Sequence, residues 1–593
     1  MTKYNITTFT SRAILLIALL PSLAFAQLKV DSRHVSTDAL TKTMLATIPE
    51  RLFGTDTTLE LQAEDGWKQV SIAAIPLTEN NEDNPLLTIT PDKPQTYTFN
   101  NISADSKYLV TCTANDGNET TDTLQFTFLP IVQLVGQTGY DYQEATFIYS
   151  HPDSTATDTL TAKVKWRGGT TNSYDKHKRN YKVKFYEDRR FFGLRNDNNW
   201  MLDAGQPDVF RLRNRIAMDI WNKMARQPYY SDKKPNARNG VRGAIVEVFL
   251  GDEYRGIYNF SEMMDRKQLK LNKTDAETGR IHGCLYKGVS WDKTRMFNSL
   301  DNYDNTKDTF YGYEMKYPEL DDSDTIDWAP LVAANNFAHD SSDEEFQQHV
   351  GEYFDIPVVI DYNIFYNVVN AVDNAGKNMY WAIYDKDSTR CLTPTPWDLD
   401  ATFGQRWGGT LVNEIDEGFY NSPEFKLDFE LMLTYRFFRD NFNDYIGQLN
   451  ERYKQLRQAG QPLHTDSILN IVSRYYQAVK RSGAASREEA KWSGDSDMWG
   501  DVIDFDTEYA YICDWIRRRM EFIDQTELPL FYKKSYFDEL GISNQMSEAS
   551  LNGNNVVYDL SGRKVAAGKR KSLKPGLYIR GGRRVTNVFQ HLP

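Results

Sequence analysis

The chain has 593 residues, far more than one hydrophobic core needs, so several domains are expected. Hydrophobic residues at 40% and charged residues at 25% are ordinary for a soluble protein, and a net charge of −13 at pH 7 excludes wholesale binding to nucleic acid. Aromatic residues reach 13%, a level that accompanies carbohydrate-facing and extracellular proteins.

Residues 1–26 read as an export signal. Lys3 and Arg12 precede the apolar run AILLIALLPSLAFA, and Ala24-Phe25-Ala26 is a small-x-small cleavage site, which puts the mature start near Gln27. No Cys follows that site, so no lipid anchor is expected. No later apolar run reaches the roughly 18 residues of a membrane helix. An exported protein of the periplasm, outer surface or medium is implied. Cys112, Cys284, Cys391 and Cys513 are widely spaced, with no zinc pattern, and read as buried free thiols.

Residues 27–128 carry short alternating runs between turn residues, including TTLELQAED, KQVSIAAIPL and KYLVTCTA, and predict an accessory β-sandwich. A new unit opens near Leu129. Its strands ATFIYS, TAKVKWRG and YKVKFYE include a basic hairpin joined by GTTNSYDKHKRN. Lys182 and Lys184 are two apart and share a face, where one of them can pair with phosphates; Gly168 and Gly169 let backbone approach them. A solvated edge strand whose lysines discourage aggregation is the plain alternative. The periodicity of Leu212, Ile216, Ile220 and Met224 predicts a helix. Asp219 is an acid on it, and no Glu is there to pair with the strand lysine. GAIVEVFLGDEYRGIYNFSEM predicts a hairpin turning at Gly251-Asp252, followed by a short linker and a helix at DRKQLKL. GCLYKG and YEMKYPE are further strands, and helical patterns dominate from Asp327 to about Thr526. Residues 531–555 form a linker, and residues 556–593 a small β module.

The informative stretch is Asp361–Gly404, which reads as helix, polar loop, strand, turn and strand end. Asp373 opens the loop, Asn378 follows five residues later, and Asp398 and Asp400 close the strand end. Carboxylates and an amide oxygen on rigid supports suit a hard cation bound to phosphates. The same Asp-to-Asn spacing occurs in the protein-kinase catalytic loop.

The ordered set WRGGTTNSYDKHKRNYKVKF, WMLDAGQPDVFRLRN, GIYNFSEMMDRKQLKL, GCLYKG, YEMKYPE, DNAGKN and PWDLDATFG resembles the CotH family of secreted and spore-coat protein kinases, over about residues 129–530. The resemblance implies an α+β atypical protein-kinase-like domain with a β-rich small lobe and a helical large lobe. It would transfer the ATP γ-phosphate to Ser or Thr using Mg²⁺ or Mn²⁺. Carried over residue by residue, it implies Asp373 as the catalytic-loop acid, and Asn378, Asp398 and Asp400 as metal-side groups. Lys182, or alternatively Lys184, would pair with phosphate; Arg167, Gly168 and Gly169 would lie near the phosphates. Glu262 and Met264 would flank the adenine. The chain departs from general kinases in having no G-x-G-x-x-G loop and no Asp-Phe-Gly. The tail motifs VVYDLSGRKV and PGLYIRGGRRV resemble the C-terminal sorting module of exported Bacteroidetes-type proteins, which implies contact with a cell surface or export machinery. The fold class is therefore multidomain: β-sandwich, α+β kinase-like domain, and small β module. Two other readings stand beside the kinase: an inactive surface scaffold for glycans or proteins, and a glycosyltransferase using Asp398-x-Asp400.

Overall fold

The computed structural model describes residues 27–74, 87–173, 175–290, 293–294, 297–320, 325–406, 433, 436–438, 441–498 and 501–526, together with the backbone of four strands between 556 and 587. The export signal expected at 1–26 and the linker expected at 531–555 lie outside these residues.

The first unit is two facing sheets. One orders Arg33–His34, Leu28–Val30, Thr57–Ala63 and Gln95–Phe99; the other orders Ser36–Asp38, Thr43–Thr47, Glu119–Thr127, Tyr108–Ala114, Trp67–Ala74 and Leu87–Ile89. Alternation sets it up: in Thr57–Ala63, Leu59 and Leu61 turn into the core while Thr58 and Glu60 face solvent. The unit is docked on its neighbour. His34 Nε2 and Ser36 Oγ lie 2.8 and 3.0 Å from Gln133 Oε1, Ala39 N donates to Asp252 O at 2.8 Å, and Leu45 packs with Ile131, Phe249 and Tyr254.

The second unit is a closed barrel of seven strands: β1 (Ile131–Gly136), β2 (Gln143–Ser150), β3 (Thr157–Arg167), β4 (Asn180–Arg190), β5 (Asn196–Asp203), β6 (Gly243–Leu250) and β7 (Glu253–Ser261). Its order is β1-β2-β3-β4-β5-β7-β6, and β6 closes onto β1 in parallel. Closure removes the exposed edge that an edge-strand reading of the basic hairpin assumes. Tyr181, Val183 and Phe185 of β4 fill the barrel with Phe147, Phe191, Trp200 and Phe260, so Lys182 and Lys184 stand on its outer face.

The third unit is built on a five-stranded antiparallel sheet of β8 (Cys284–Gly288), β9 (Thr309–Phe310), β10 (Tyr313–Tyr317), β11 (Met379–Ile383) and β12 (Thr393–Pro396), ordered β9-β10-β8-β11-β12. Helices α1 (Arg213–Met224), α2 (Arg266–Leu269), α3 (Ala329–Asp340), α4 (Asp343–Tyr353), α5 (Ile356–Val369), α6 (Tyr445–Arg457), α7 (Thr465–Arg481), α8 (Ala484–Trp492) and α9 (Phe505–Thr526) accompany it. Within the helical stretch expected from Asp327, α4 and α5 are separate helices. A Ser342–Glu345 capping box starts α4, and Pro357 in the first turn of α5 favours a fresh start after Phe354-Asp355. From Val358 onward α5 is buried on every face, and Asn370 ends it in a left-handed conformation that Asn tolerates. All four cysteines are buried and free, and no helix among the described residues is long and apolar enough to cross a membrane. The tail strands Lys564–Ala567, Val556–Tyr558, Gly576–Arg580 and Arg583–Asn587 form an antiparallel sheet in that order.

Inside α5, the fully buried carboxylate of Asp361 accepts from Arg226 N at 2.6 Å, Arg226 Nη2 at 2.9 Å and Arg452 Nε at 3.0 Å, which ties α6 and the segment just after α1 to α5. Asp361→Ala strands both guanidinium groups and a backbone N–H, so urea denaturation is expected to show a loss of about 3 kcal/mol.

Candidate active site

A cleft of about 1530 Å³ separates the outer face of β3–β5 from the ends of β8, β10 and β11. Lys165, Arg167, Lys182, Lys184 and Lys287 line it, and so do Asp203, Asp373, Asp398, Asp400, Asn214 and Asn378. The loop after α5 and the end of β12 supply Asp373, Asn378, Asp398 and Asp400, because both emerge from buried elements, where a polar side chain needs a dedicated partner; Asp203 comes from the end of β5 and Asn214 from α1.

Backbone and one amide hold that loop to the strand end. The buried Asn374 donates through Nδ2 to Asn378 O at 2.9 Å and to Trp397 O at 2.7 Å. Trp397 N donates to Asn378 O at 2.9 Å, and Asn378 N to Gly288 O at 3.0 Å. A Cβ on Gly288 would sit 1.8 Å from Gly376 O, so the loop lies directly on the end of β8. Asn378 and Asp398 both adopt left-handed backbone, with φ of 52° and 57°, a conformation that Asn and Asp tolerate better than most residues.

Asp373 Oδ2 accepts from Lys377 Nζ at 2.7 Å and from Asn378 Nδ2 at 2.9 Å. Burial raises the Asp373 carboxyl above the ordinary range, and Lys377 draws it partly back. The donated Nδ2 leaves Asn378 Oδ1 as its acceptor atom. Asp398 is exposed to the cleft. Burial, then Asp398 and the other acids, pushes Asp400 well above the ordinary range. Asp203, at the end of β5, is also raised by burial and then by Asp398. It accepts from Asn214 Nδ2 at 2.7 Å, while Asn214 Oδ1 accepts from Leu399 N at 3.1 Å. Asn214 thus bridges the barrel to the strand end bearing Asp398 and Asp400.

On the opposite wall, burial lowers Lys182 below the ordinary lysine range and Glu319 offsets part of this, whereas Lys184 is exposed. Lys182 is therefore the more embedded of the two. On the sheet side, burial also lowers Lys287 of β8, with Asp398 opposing. Arg167 stacks over the Trp397 ring at 5.7 Å, and its carbonyl accepts from Thr171 Oγ1 at 3.0 Å. Gly168 has φ of +109°, and a Cβ there would meet Thr171 Oγ1 at 2.2 Å; Gly169 faces open space.

One expected position falls otherwise. Met264 lines the cleft, but Glu262 does not. Its buried carboxylate accepts from Arg195 N, Arg242 N and Arg242 Nη2, each at 2.9 Å, and from Gln268 Nε2 at 3.0 Å, which makes it a structural anchor beside the cleft. Asp219 turns to Arg215, Arg474 and Tyr475, away from the strand lysines. Sequence reasoning gave no role to Asp203, Asn214, Lys287 or Asn374. Each lies in a motif that carried the family resemblance, which was the available signal. Outside the cleft, His177 with Asp495 and Asp497, and His282 with Asp385 and Asp387, bring potential ligand atoms together.

Fold and cleft together define the class: an α+β protein with an acidic, oxygen-donor pocket facing a lysine-lined wall. The family model described as CotH kinase protein matches residues 164–523. That span is more than half of the chain, and the protein belongs to the CotH family. No curated protein matches the chain. The kinase-like family suggests ATP and a divalent metal, and the pocket fits that metal chemically. Its donors are hard oxygens, and none of Asp203, Asp398 and Asp400 forms an ion pair with a Lys or Arg among the described residues.

Gly288→Ala forces the Gly376 carbonyl away. It is expected to cost about 1–3 kcal/mol of stability, as read by calorimetry of the variant against the wild type.

Proposed function

We propose that this protein is an exported protein kinase that transfers the γ-phosphate of ATP to Ser or Thr of a surface or secreted protein, with Mg²⁺ or Mn²⁺. The observation that carries this reading is the facing of the two walls in one cleft: Asp373, Asn378, Asp398 and Asp400 opposite Lys182, Lys184 and Arg167. Triphosphate and metal together need that division of charge.

Asn378, Asp398 and Asp400 would hold the metal, which supplies charge neutralisation on the phosphates when bound. Lys182 and Arg167 contact phosphate oxygens, and the turn at Gly168 brings backbone close to them. Met264 lies at the adenine side. Asp373 takes the proton of the acceptor hydroxyl as that oxygen bonds to the γ-phosphorus and the bond to the β-phosphate oxygen breaks, releasing ADP. Lys377 and Asn378 orient the Asp373 carboxylate for this step. Its raised pKa makes it a stronger base than a free carboxylate. Export and delivery by the tail module belong to the same reading and rest on the leader and tail motifs.

The test is transfer of labelled γ-phosphate with Mn²⁺ or Mg²⁺ to generic protein acceptors and to the chain itself. Asp373→Ala is expected to lose about 100-fold or more in transfer while retaining ATP binding, and Asp398→Ala to lose metal-dependent binding as well. Full activity in Asp373→Ala overturns the assignment. Absence of both transfer and ATP-dependent stabilisation in the wild type supports an inactive scaffold instead.

The lowered pKa of Lys182 gives a pH signature. Its charge attracts phosphate, and that charge is lost at lower pH than in a free lysine. The KM for ATP is therefore expected to rise on the alkaline side below the free-lysine range, and Lys182→Arg is expected to move that rise to higher pH.

A further inference from the structure

Two loops form the phosphate-side wall, and both are held from behind by one short segment. The first loop runs from Gly168 to Asn180 between β3 and β4; the second, residues 204–212, joins β5 to α1. Gly168, Gly169, Lys176 and Asn180 of the first and Gly205, Gln206 and Asp208 of the second line the cleft. Glu488 of α8 and Asp497 just beyond it do not.

Glu488 is fully buried. Its Oε1 accepts from Arg211 Nε at 2.6 Å and lies 3.1 Å from Lys178 Nζ, while Oε2 accepts from Ile257 N at 2.7 Å. Lys178 Nζ also donates to Arg255 O at 2.9 Å and Ile257 O at 3.1 Å. Arg211 spends Nη1 on the carbonyls of Gly205, Gln206 and Asp208 at 2.9, 2.7 and 3.1 Å, which closes the second loop around its guanidinium. Strand β7 leaves room for the carboxylate: a Cβ on Gly256, where φ is +87°, would lie 1.8 Å from Glu488 Oε2.

Asp497 repeats the arrangement. Its carboxylate accepts from His177 N and from Lys178 N, the latter at 3.3 Å, and pairs with Lys176 Nζ at 3.6 Å. Its carbonyl accepts from Gln206 Nε2 at 2.6 Å. Each acid therefore grips both loops, one through buried cations and the other largely through backbone. A triphosphate meeting this wall finds the loops already placed.

We infer that Glu488 and Asp497 are positioning residues that preset the phosphate-side wall, so that they govern recognition of the β- and γ-phosphates without touching the nucleotide. The inference rests on the kinase reading above. Its content beyond that reading is that the phosphate loop is fixed by the C-terminal helical segment and does not act as a free flap. Misplacement of such a wall by about 1 Å suffices for large losses.

The test compares binding of ATP with Mn²⁺ and binding of AMP by calorimetric titration, for the full chain and its variants. Asp497→Asn keeps shape and removes charge. Glu488→Asp keeps charge and withdraws it by one methylene, which avoids stranding Lys178 and Arg211 and keeps a second folded variant in hand. The expected result is ATP affinity weakened by at least about tenfold in each, with AMP affinity within about twofold of wild type. Unchanged ATP affinity, or equal loss for ATP and AMP, overturns the inference and marks the pair as general structural supports. A wild type that binds neither nucleotide removes the kinase reading and this inference with it, a result distinct from the other two.

Discussion

Helix α5 and strand β11 are buried on nearly every face, and this constrains the rest of the domain. A polar side chain inside such elements needs a dedicated partner, as Asp361 has in Arg226 and Arg452. Polar groups free for chemistry can appear only where the elements end. Asp373 and Asn378 stand after α5 and before β11; Asp398 and Asp400 stand after β12. The Asn374 amide then joins the two ends, and the contact of Gly288 with Gly376 sets their height on the sheet.

The opposite wall obeys a different rule. Barrel closure turns apolar residues of β3 and β4 inward and leaves Lys165, Lys182 and Lys184 outside. The register places Lys182 across from Lys165 and Lys184 across from Lys163. Like charges in directly opposed pairs oppose pairing of the two strands. Across the cleft, Asp373 already has a cation in Lys377, whereas Asp203, Asp398 and Asp400 form no ion pair with a Lys or Arg among the described residues.

The flanking units hold this geometry. The sandwich packs on the barrel through Gln133 and through the cluster of Leu45, Ile131, Phe249 and Tyr254, so it is a joined support as well as an accessory module. The α7–α8 corner reaches both, with Arg481 on Glu50 of the sandwich and Arg487 on Glu247 of the barrel. Glu488 and Asp497 extend the same corner to the two barrel loops that line the cleft.

Much of this was legible in the sequence. Period-two alternation marked the strands of the sandwich and the basic hairpin, the Gly251-Asp252 turn marked β6–β7, and the order Asp373, Asn378, Asp398, Asp400 marked one wall of the cleft. These are local signals: strand pleat, turn chemistry and the confinement of polar residues to element ends. Closure of the barrel was not legible, because the parallel pairing of β1 with β6 joins residues more than a hundred positions apart and leaves no periodic trace. Nor were Asp203 and Asn214, whose place beside Asp398 depends on how the barrel sits against the sheet, or Glu488, whose partners are Lys178 and Arg211. The spacing could not separate Lys182 from Lys184, since both point the same way; in the structure they differ in burial, Lys182 being the more embedded and Lys184 exposed. Glu262 read as part of a linker next to the nucleotide, yet packing gave its carboxylate to Arg195, Arg242 and Gln268. The sequence by itself determined which groups are available for chemistry, because residue type and element ends are local properties. Only the tertiary structure decided which of them share a cleft and which are consumed as supports, because burial and ion pairing depend on segments distant in the chain.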